Sequence, residues 1–186
     1  MKNKGQKFVV LITTGIIIIL SFFIPSEWKI VYSHLFSAAS KELLILPVES
    51  VSIENIENTY NAKRSGGRIH LGVDIFAPRF TPVVCVCDGH VLKIGRDILG
   101  GNIVKILGID KRVYYYAHLS RHTEYIPGDK VKKGKLIGFV GNTGNAISTP
   151  PHLHFEIMEI EWYFPLITKN INPYYELVES NSAKMN

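Results

Sequence analysis

Two histidines separated by one residue, His152 and His154, are the strongest candidates for chemistry in this sequence. The residues around them favour an extended chain, and side chains two apart in a β-strand lie on one face, about 6.5–7 Å apart at the backbone. We therefore predict that both imidazoles enter one cavity, whereas Leu153 and Phe155 pack into the core on the opposite face. Two imidazoles in one cavity need a polar or metallic partner. Without one, the pair would be solvent-facing histidines on an edge strand.

Candidate partners for this pair occur upstream, at His70, Asp74 and His118. Interleaved β-branched residues and Gly72 disfavour a helix between His70 and Asp74. On a straight strand their backbones would lie about 13 Å apart, too far to share a metal ion with ligand bonds of about 2.0–2.2 Å. We therefore expect the chain to bend at Gly72, where a bend costs least. His118 ends a strand-like run and supplies a further candidate group.

In type, order and spacing, these segments resemble the LytM-type (M23) zinc metallopeptidases. The resemblance covers roughly residues 59–175 and includes further segments of the same family pattern, which are Thr81-Pro82-Val83, Asp88-Gly89, Gly128-Asp129, Val131, Gly134, Gly138, Gly141 and Thr143-Gly144. The sequence departs from the pattern at Phe80 and Pro150, where many members have glycine. Neither departure removes a chemical group, and both are expected to reshape the rim of the site.

The resemblance implies a zinc metalloendopeptidase that hydrolyses peptide cross-links or stems of bacterial peptidoglycan by means of a zinc-activated water. It assigns His70, Asp74 and His154 as ligands of one Zn²⁺ per chain, with a fourth position left for water. His118 and His152 are then the implied catalytic residues. Their expected tasks are to activate the water and to stabilise the oxyanion that forms during hydrolysis.

The sequence is also compatible with three other functions. The first is a non-catalytic LytM-like protein that binds and regulates a cell-wall hydrolase, although such relatives typically lose zinc ligands or site histidines and all five are present here. The second is a biotinyl or lipoyl carrier module, which residues 128–134 resemble in part, but no Met-Lys-like context for a modified lysine follows. The third is a peptidase of the same mechanism that acts on an envelope protein. The sequence identifies neither the bond cleaved nor the oligomeric state.

The first 25 residues have the pattern of a membrane anchor. Residues 8–24 contain no charge and follow Lys2, Lys4 and Lys7. This apolar length fits the short end of a transmembrane helix or a signal peptide, and no small-residue cleavage site follows closely. We predict that residues 1–25 are a cytoplasmic basic end plus an uncleaved single-pass anchor in the bacterial inner membrane. The catalytic domain is then expected on the periplasmic, extracytoplasmic side. A buried core helix is the alternative.

Residues 26–58 are predicted to form a juxtamembrane helix, which ends near residue 44, and a linker. This segment could rest on lipid, cover the catalytic domain or bind a protein regulator. The net charge of +5 does not indicate a nucleic-acid partner. Three of the 21 basic residues precede the apolar segment and no acidic residue does, so that 18 basic residues face 16 acidic ones beyond it. That near balance gives no basic surface of the kind that binds nucleic acid.

From residue 67 the sequence alternates short strand-like runs with turn signals every 8–12 residues. This pattern predicts a mostly β domain at residues 59–178, an antiparallel β sandwich or partly closed barrel of short hairpins, with 179–186 as a tail. Asp88-Gly89 is predicted as a two-residue turn that joins strands 81–87 and 90–95 into a hairpin.

Alternation within the run that ends at His118 places Tyr114, Tyr116 and His118 on one face. We therefore predict Tyr116 as the tyrosine nearest the site. Cys85 and Cys87 stand two apart in one strand-like run, which usually places two thiols too far apart for a disulfide. They are predicted to be small packing residues.

Overall fold

The structure is a computed structural model that describes residues 39–40, 42–163 and 166–185. The predicted anchor, residues 1–25, and most of the predicted juxtamembrane helix lie outside these residues. The described end of that helix, at residues 39–40 and 42–44, is not helical. None of the helices in the described part of the chain combines the length and the apolar character needed to cross a membrane.

Ten strands and one α-helix make up the regular structure of the described residues, together with three short 3₁₀ turns. The strands are β1 (Val73–Phe76), β2 (Pro82–Val84), β3 (Gly89–Asp97), β4 (Gly101–Gly108), β5 (Arg112–Leu119), β6 (Arg121–His122), β7 (Lys130–Val131), β8 (Leu136–Phe139), β9 (His152–Tyr163) and β10 (Leu166–Ile171). Helix α1 (Pro173–Met185) follows. The predicted tail at 179–186 is therefore helical as far as Met185.

The strands form two antiparallel sheets. The large sheet has the order β1-β9-β5-β4-β3-β7, with β10 added to β9, and the small sheet has the order β2-β8-β6. The mostly β, antiparallel prediction is confirmed. Within the described residues neither sheet closes into a barrel.

The main hydrophobic core joins the two sheets. It contains Val83 and Ile137 from the small sheet and Tyr116, Leu153 and Phe155 from the large one. Because side chains alternate along β9, His154, which stands between Leu153 and Phe155, lies on the other face of the large sheet. That other face carries a smaller apolar cluster and, beside it, the polar side chains described below.

Both cysteines lie in the main core as predicted. Cys85 and Cys87 are free thiols with no exposed surface. The Cys85 thiol donates a hydrogen bond to the carbonyl of Cys87, with Sγ and O 2.8 Å apart. Burial raises the pKa of Cys85 to about 12, so the thiol stays neutral at physiological pH.

The hairpin predicted at Asp88-Gly89 is wrong. Strand β2 pairs with β8 in the small sheet, whereas β3 pairs with β4 and β7 in the large one. Gly89 is not in the left-handed region that a type I′ turn requires. It is needed for close packing instead, because a Cβ at this position would lie 2.4 Å from the carbonyl oxygen of Leu107.

The described part of the predicted linker belongs to the folded body. Leu44, Val48 and Ile56 are buried in the main core. Leu44 donates its backbone N–H to the hydroxyl of Ser180 on α1 at 3.0 Å. Residues 42–58 therefore hold the sheets and the C-terminal helix together.

Candidate metal centre

The pairing of β1 with β9 assembles the first half of the site. Asp74 on β1 lies directly opposite His154 on β9. His70 precedes β1, and the chain bends at Gly72 as predicted. A Cβ at Gly72 would lie 2.3 Å from the carbonyl oxygen of Phe155, so only glycine allows β1 to approach β9 this closely.

The side chains of His70, Asp74 and His154 meet at one point and form the only group within the described residues that could hold a metal ion. Nε2 of His70 lies 2.9 Å from Nδ1 of His154 and 3.0 Å from Oδ1 of Asp74. Nδ1 of His154 lies 3.1 Å from the same carboxylate oxygen. The three atoms thus form a nearly equilateral triangle, and the predicted ligand set is brought together.

Hydrogen bonds on the far side of each histidine ring select the tautomer that a metal requires. Nδ1–H of His70 donates to the carbonyl of Thr59 at 2.7 Å, and Nε2–H of His154 donates to the carboxylate of Glu156 at 2.8 Å. When both rings are neutral, the lone pairs of His70 Nε2 and His154 Nδ1 are the ones directed into the triangle. The second carboxylate oxygen of Asp74 pairs with the guanidinium of Arg64.

The electrostatics of this group favour a bound cation. Burial opposes ionisation of Asp74, but its hydrogen bonds with His154 and His70 outweigh burial and hold its pKa well below the usual range. Burial also opposes protonation of His154, yet its bonds to Asp74 and Glu156 dominate and raise its pKa to about 9. The carboxylates of Asp74 and Glu156 therefore concentrate negative charge around the triangle, which a metal ion would neutralise.

His118 and His152, the predicted catalytic residues, stand beside the triangle. Their ring centroids are 5.0 Å apart, and Nε2 of His152 lies 3.9 Å from Oδ1 of Asp74. In each ring Nδ1–H donates to a carbonyl, that of Thr143 for His118 and that of Pro150 for His152, at 2.8 and 2.9 Å. Nε2 of each ring consequently carries a lone pair. Burial, together with the neighbouring His154 and His152, lowers the pKa of His118 to about 4.

Tyr115, not Tyr116, is the tyrosine at the site, so that prediction is wrong. Tyr116 is fully buried in the main core, where its hydroxyl accepts the backbone N–H of Val86. The ring of Tyr115 packs edge-on against His154, with centroids 6.2 Å apart.

A bulge in β5 explains why Tyr115, and not Tyr116, shares a face of the sheet with His118. Val104 pairs with Tyr116 but Asn102 pairs with Leu119, so β5 contains one more residue than β4 over this interval. His118 takes a left-handed φ of 61°. The regular alternation along β5 stops there, and His118 joins the face of Tyr115.

Sequence reasoning assigned no role to Glu156 or Thr59. Glu156 is two residues beyond His154 on β9, so the alternation that grouped the histidines also places it on their face. Thr59 accepts bonds from two of the three candidate ligands, through its carbonyl from His70 and through its hydroxyl from the backbone N–H of Asp74 at 3.1 Å. No local pattern indicates this contact, because Thr59 lies outside the motifs.

The triangle lies in an open groove of about 1290 Å³. One wall is the hairpin that precedes His70, and the opposite wall contains the turn between β3 and β4. His118, His152 and Tyr115 also line it.

Comparison with known proteins gives a consistent result. The model of peptidase family M23 matches residues 68–173. Lysostaphin of Staphylococcus staphylolyticus is 40% identical over 96 residues, which are 50% of this chain and 19% of that protein. The L-Ala–D-Glu endopeptidase of Bacillus subtilis is 38% identical over 109 residues, 53% of this chain and 33% of that protein. The match therefore spans less than half of the length of either relative.

A solved structure shares the fold. The catalytic domain of the antimicrobial peptidase lysostaphin from Staphylococcus simulans superposes with a TM-score of 0.52 at 32% identity, covering 62% of this chain and 90% of that domain. The matched region of the family model contains all five residues of the candidate site, from His70 to His154. The chain belongs to peptidase family M23.

Proposed function

We propose that this protein is a zinc-dependent endopeptidase that hydrolyses peptide cross-links or stems of bacterial peptidoglycan. The observation that supports the proposal most directly is the triangle of donor atoms from His70, Asp74 and His154, with two further histidines beside it. Membership of family M23 and the similarity to the L-Ala–D-Glu endopeptidase point to the same reaction class.

The donor triangle fits one Zn²⁺ per chain. A tetrahedral zinc with bonds of about 2.0–2.2 Å separates its ligand atoms by about 3.3 Å. The observed separations of 2.9, 3.0 and 3.1 Å are close to this value. Two imidazoles and one carboxylate are also a common donor set for catalytic zinc, with a position left open for substrate or water.

The two unligated histidines supply proton transfer in this proposal. Zinc, when bound, would polarise the scissile carbonyl and make an attacking water more acidic. The Nε2 lone pair of His118 or of His152 accepts the proton that the water loses. The resulting imidazolium is an N–H donor, so it can stabilise the negative charge that develops on the carbonyl oxygen before it donates the proton to the amine nitrogen of the departing peptide.

The proposal includes a location. The apolar segment at residues 8–24 would anchor the chain in the inner membrane, with residues 39–185 outside the cytoplasm, where peptidoglycan lies. The lysines that precede the segment support this orientation. Residues 26–58 would lead from the anchor into the catalytic body, which already includes residues 42–58, and would offer a place for a protein regulator to bind.

A direct test incubates the zinc-loaded full chain with purified peptidoglycan and follows released fragments by mass spectrometry. We expect new peptide termini, absent from a chelated sample and from His152→Ala. His122→Ala is the matched control, because His122 lies on β6 and does not line the groove. An intact wall in the presence of folded, zinc-bound protein would contradict the proposal and favour a regulator or a protein substrate.

A further inference from the structure

The acidic side chains that line the groove are all engaged within the protein. Asp97 accepts the backbone N–H of Gly100 at 2.5 Å and the hydroxyl of Tyr115 at 2.8 Å. Glu156 binds His154 through one oxygen and accepts the amide of Asn170 through the other, both at 2.8 Å. Asp74, the third acidic residue that lines the groove, pairs with Arg64. Little negative charge is therefore left to face a substrate.

Two basic side chains of the same groove are not engaged in this way. Lys63 and Arg68 lie on the wall that leads into His70, and both are exposed. Neither has an ion pair within the part of the chain that the structure describes; Arg68 makes only a 3.3 Å contact from Nε to the carbonyl of Ser65. Arg64, between them, differs because its guanidinium is paired with Asp74.

The wall that carries these two cations is held by backbone hydrogen bonds. Residues 63–69 form a tight hairpin in which Lys63 pairs with Ile69, and Arg64 donates its N–H to the carbonyl of Arg68 at 2.9 Å. His70 follows directly and donates its N–H to the carbonyl of Ala62 at 2.9 Å. The backbone that carries Lys63 and Arg68 is therefore held at a fixed position relative to the candidate metal ligands.

The opposite wall presents apolar surface. Ile98 is 93% exposed and Leu99 is 50% exposed, in the turn between β3 and β4. The free charge of the groove is thus positive and confined to one side. A peptide with a carboxylate on one side and an apolar or methyl-bearing face on the other fits this distribution.

We propose that the groove selects peptide segments that carry a free carboxylate next to the scissile bond, through Lys63 and Arg68, over uncharged segments. This inference rests on the proposed function and specifies its substrate. Polyglycine or an amidated stem peptide would lack the group that these two side chains recognise. Each contact is solvent-exposed, so we expect about a fivefold effect from each cation and about 25-fold from both.

The test uses the zinc-loaded full chain and a pair of stem peptides that differ only in the carboxylate next to the cleaved bond, which is either free or amidated. We expect kcat/KM to be about 25-fold higher for the free carboxylate. The preference should disappear in Lys63→Gln/Arg68→Gln, with the amidated peptide cleaved at the wild-type rate. The matched control is Arg121→Gln/Lys130→Gln, because these exposed cations lie outside the groove.

Equal cleavage of the two peptides by the wild-type protein overturns the inference, and so does a preference that survives in the double variant. If neither peptide is cleaved, the affinity of the protein for each of the two peptides is measured by fluorescence polarisation. Absence of cleavage counts against the proposed function. A carboxylate preference in binding that the double variant loses would still support the role of Lys63 and Arg68, and equal binding would overturn it.

Discussion

Replacement of Glu156 by glutamine should weaken zinc binding although Glu156 is not a ligand. Its carboxylate accepts Nε2–H of His154 at 2.8 Å and so keeps the Nδ1 lone pair of that ring available for the metal. Its other oxygen accepts Nδ2–H of Asn170 at 2.8 Å. Two donors therefore face the two oxygens of one carboxylate, and an amide offers only one oxygen.

The glutamine must leave one of these donors without an acceptor. If its NH₂ group faced His154, the ring would be driven toward the Nδ1–H tautomer, which cannot bind a metal. If it faced Asn170, that amide would have to turn and lose its bond to the carbonyl of Leu71 at 3.2 Å. Loss of a carboxylate partner of a metal-bound histidine typically costs 10–100-fold in affinity, or about 1.4–2.7 kcal/mol. We expect the upper half of this range for Glu156→Gln.

The assay is a competition titration with a chromophoric zinc chelator, run on matched amounts of wild-type and variant protein. Glu159→Gln is the control, because Glu159 lies on the same strand with its side chain 50% exposed and pairs with Arg112 outside the groove. Thermal unfolding of both variants would separate loss of metal from loss of fold. A zinc affinity within threefold of wild type for folded Glu156→Gln would refute the reasoning.

Three further predictions address the ligands and the strands that hold them. His118→Ala should keep one zinc per chain by elemental analysis and lose at least about 100-fold in activity, because the His118 ring is proposed to transfer protons without contacting the metal. Loss of stoichiometric zinc would show that His118 is a ligand. Zinc must displace the proton of His154, whose pKa is raised to about 9, so apparent affinity should weaken about tenfold for each pH unit below that value. A pH-independent affinity between pH 6 and 8 would contradict this. Gly72→Ala should lower the free energy of unfolding by at least about 2 kcal/mol and reduce the zinc content, because the added Cβ would lie 2.3 Å from the carbonyl oxygen of Phe155. An unchanged melting temperature would mean that β1 can move away from β9 at little cost.

Local rules predicted that the candidate groups lie close together, whereas the division into three candidate ligands and two candidate catalytic histidines came only from the resemblance to family M23. Alternation along one strand places His152 and His154 together, and the bend at Gly72 brings His70 to Asp74. The same alternation also reaches Glu156, which stands in the same stretch of sequence. The pairing of strands was less accessible: a turn signal such as Asp88-Gly89 describes the local chain but does not say which strands become neighbours, and here the two flanking strands enter different sheets.

The alternation of side chains along a strand could not identify the tyrosine that lines the site. A strict alternation requires a regular strand, and β5 is interrupted where its extra residue leaves His118 at a φ of 61°. Such a conformation is costly for a residue other than glycine, by about 1–2 kcal/mol. The hydrogen bond from the His118 N–H to the carbonyl of Gly100, at 2.7 Å, helps to hold it. The interruption is a property of the paired strands β4 and β5 and has no signature in the residues 114–118 themselves.

The two departures from the family pattern, Phe80 and Pro150, preserve the site because the backbone at these positions supports it. Phe80 takes a left-handed φ of 72°, the conformation that favours glycine, and its N–H still donates to the carbonyl of Val140 at 2.9 Å. Its ring lies outside, 58% exposed, under the guanidinium of Arg79 at 5.2 Å, a contact that offsets part of the conformational cost. Pro150 lacks an N–H, but the site uses only its carbonyl, which accepts Nδ1–H of His152 at 2.9 Å. Both side chains can therefore differ from glycine without moving the histidine that the mechanism requires.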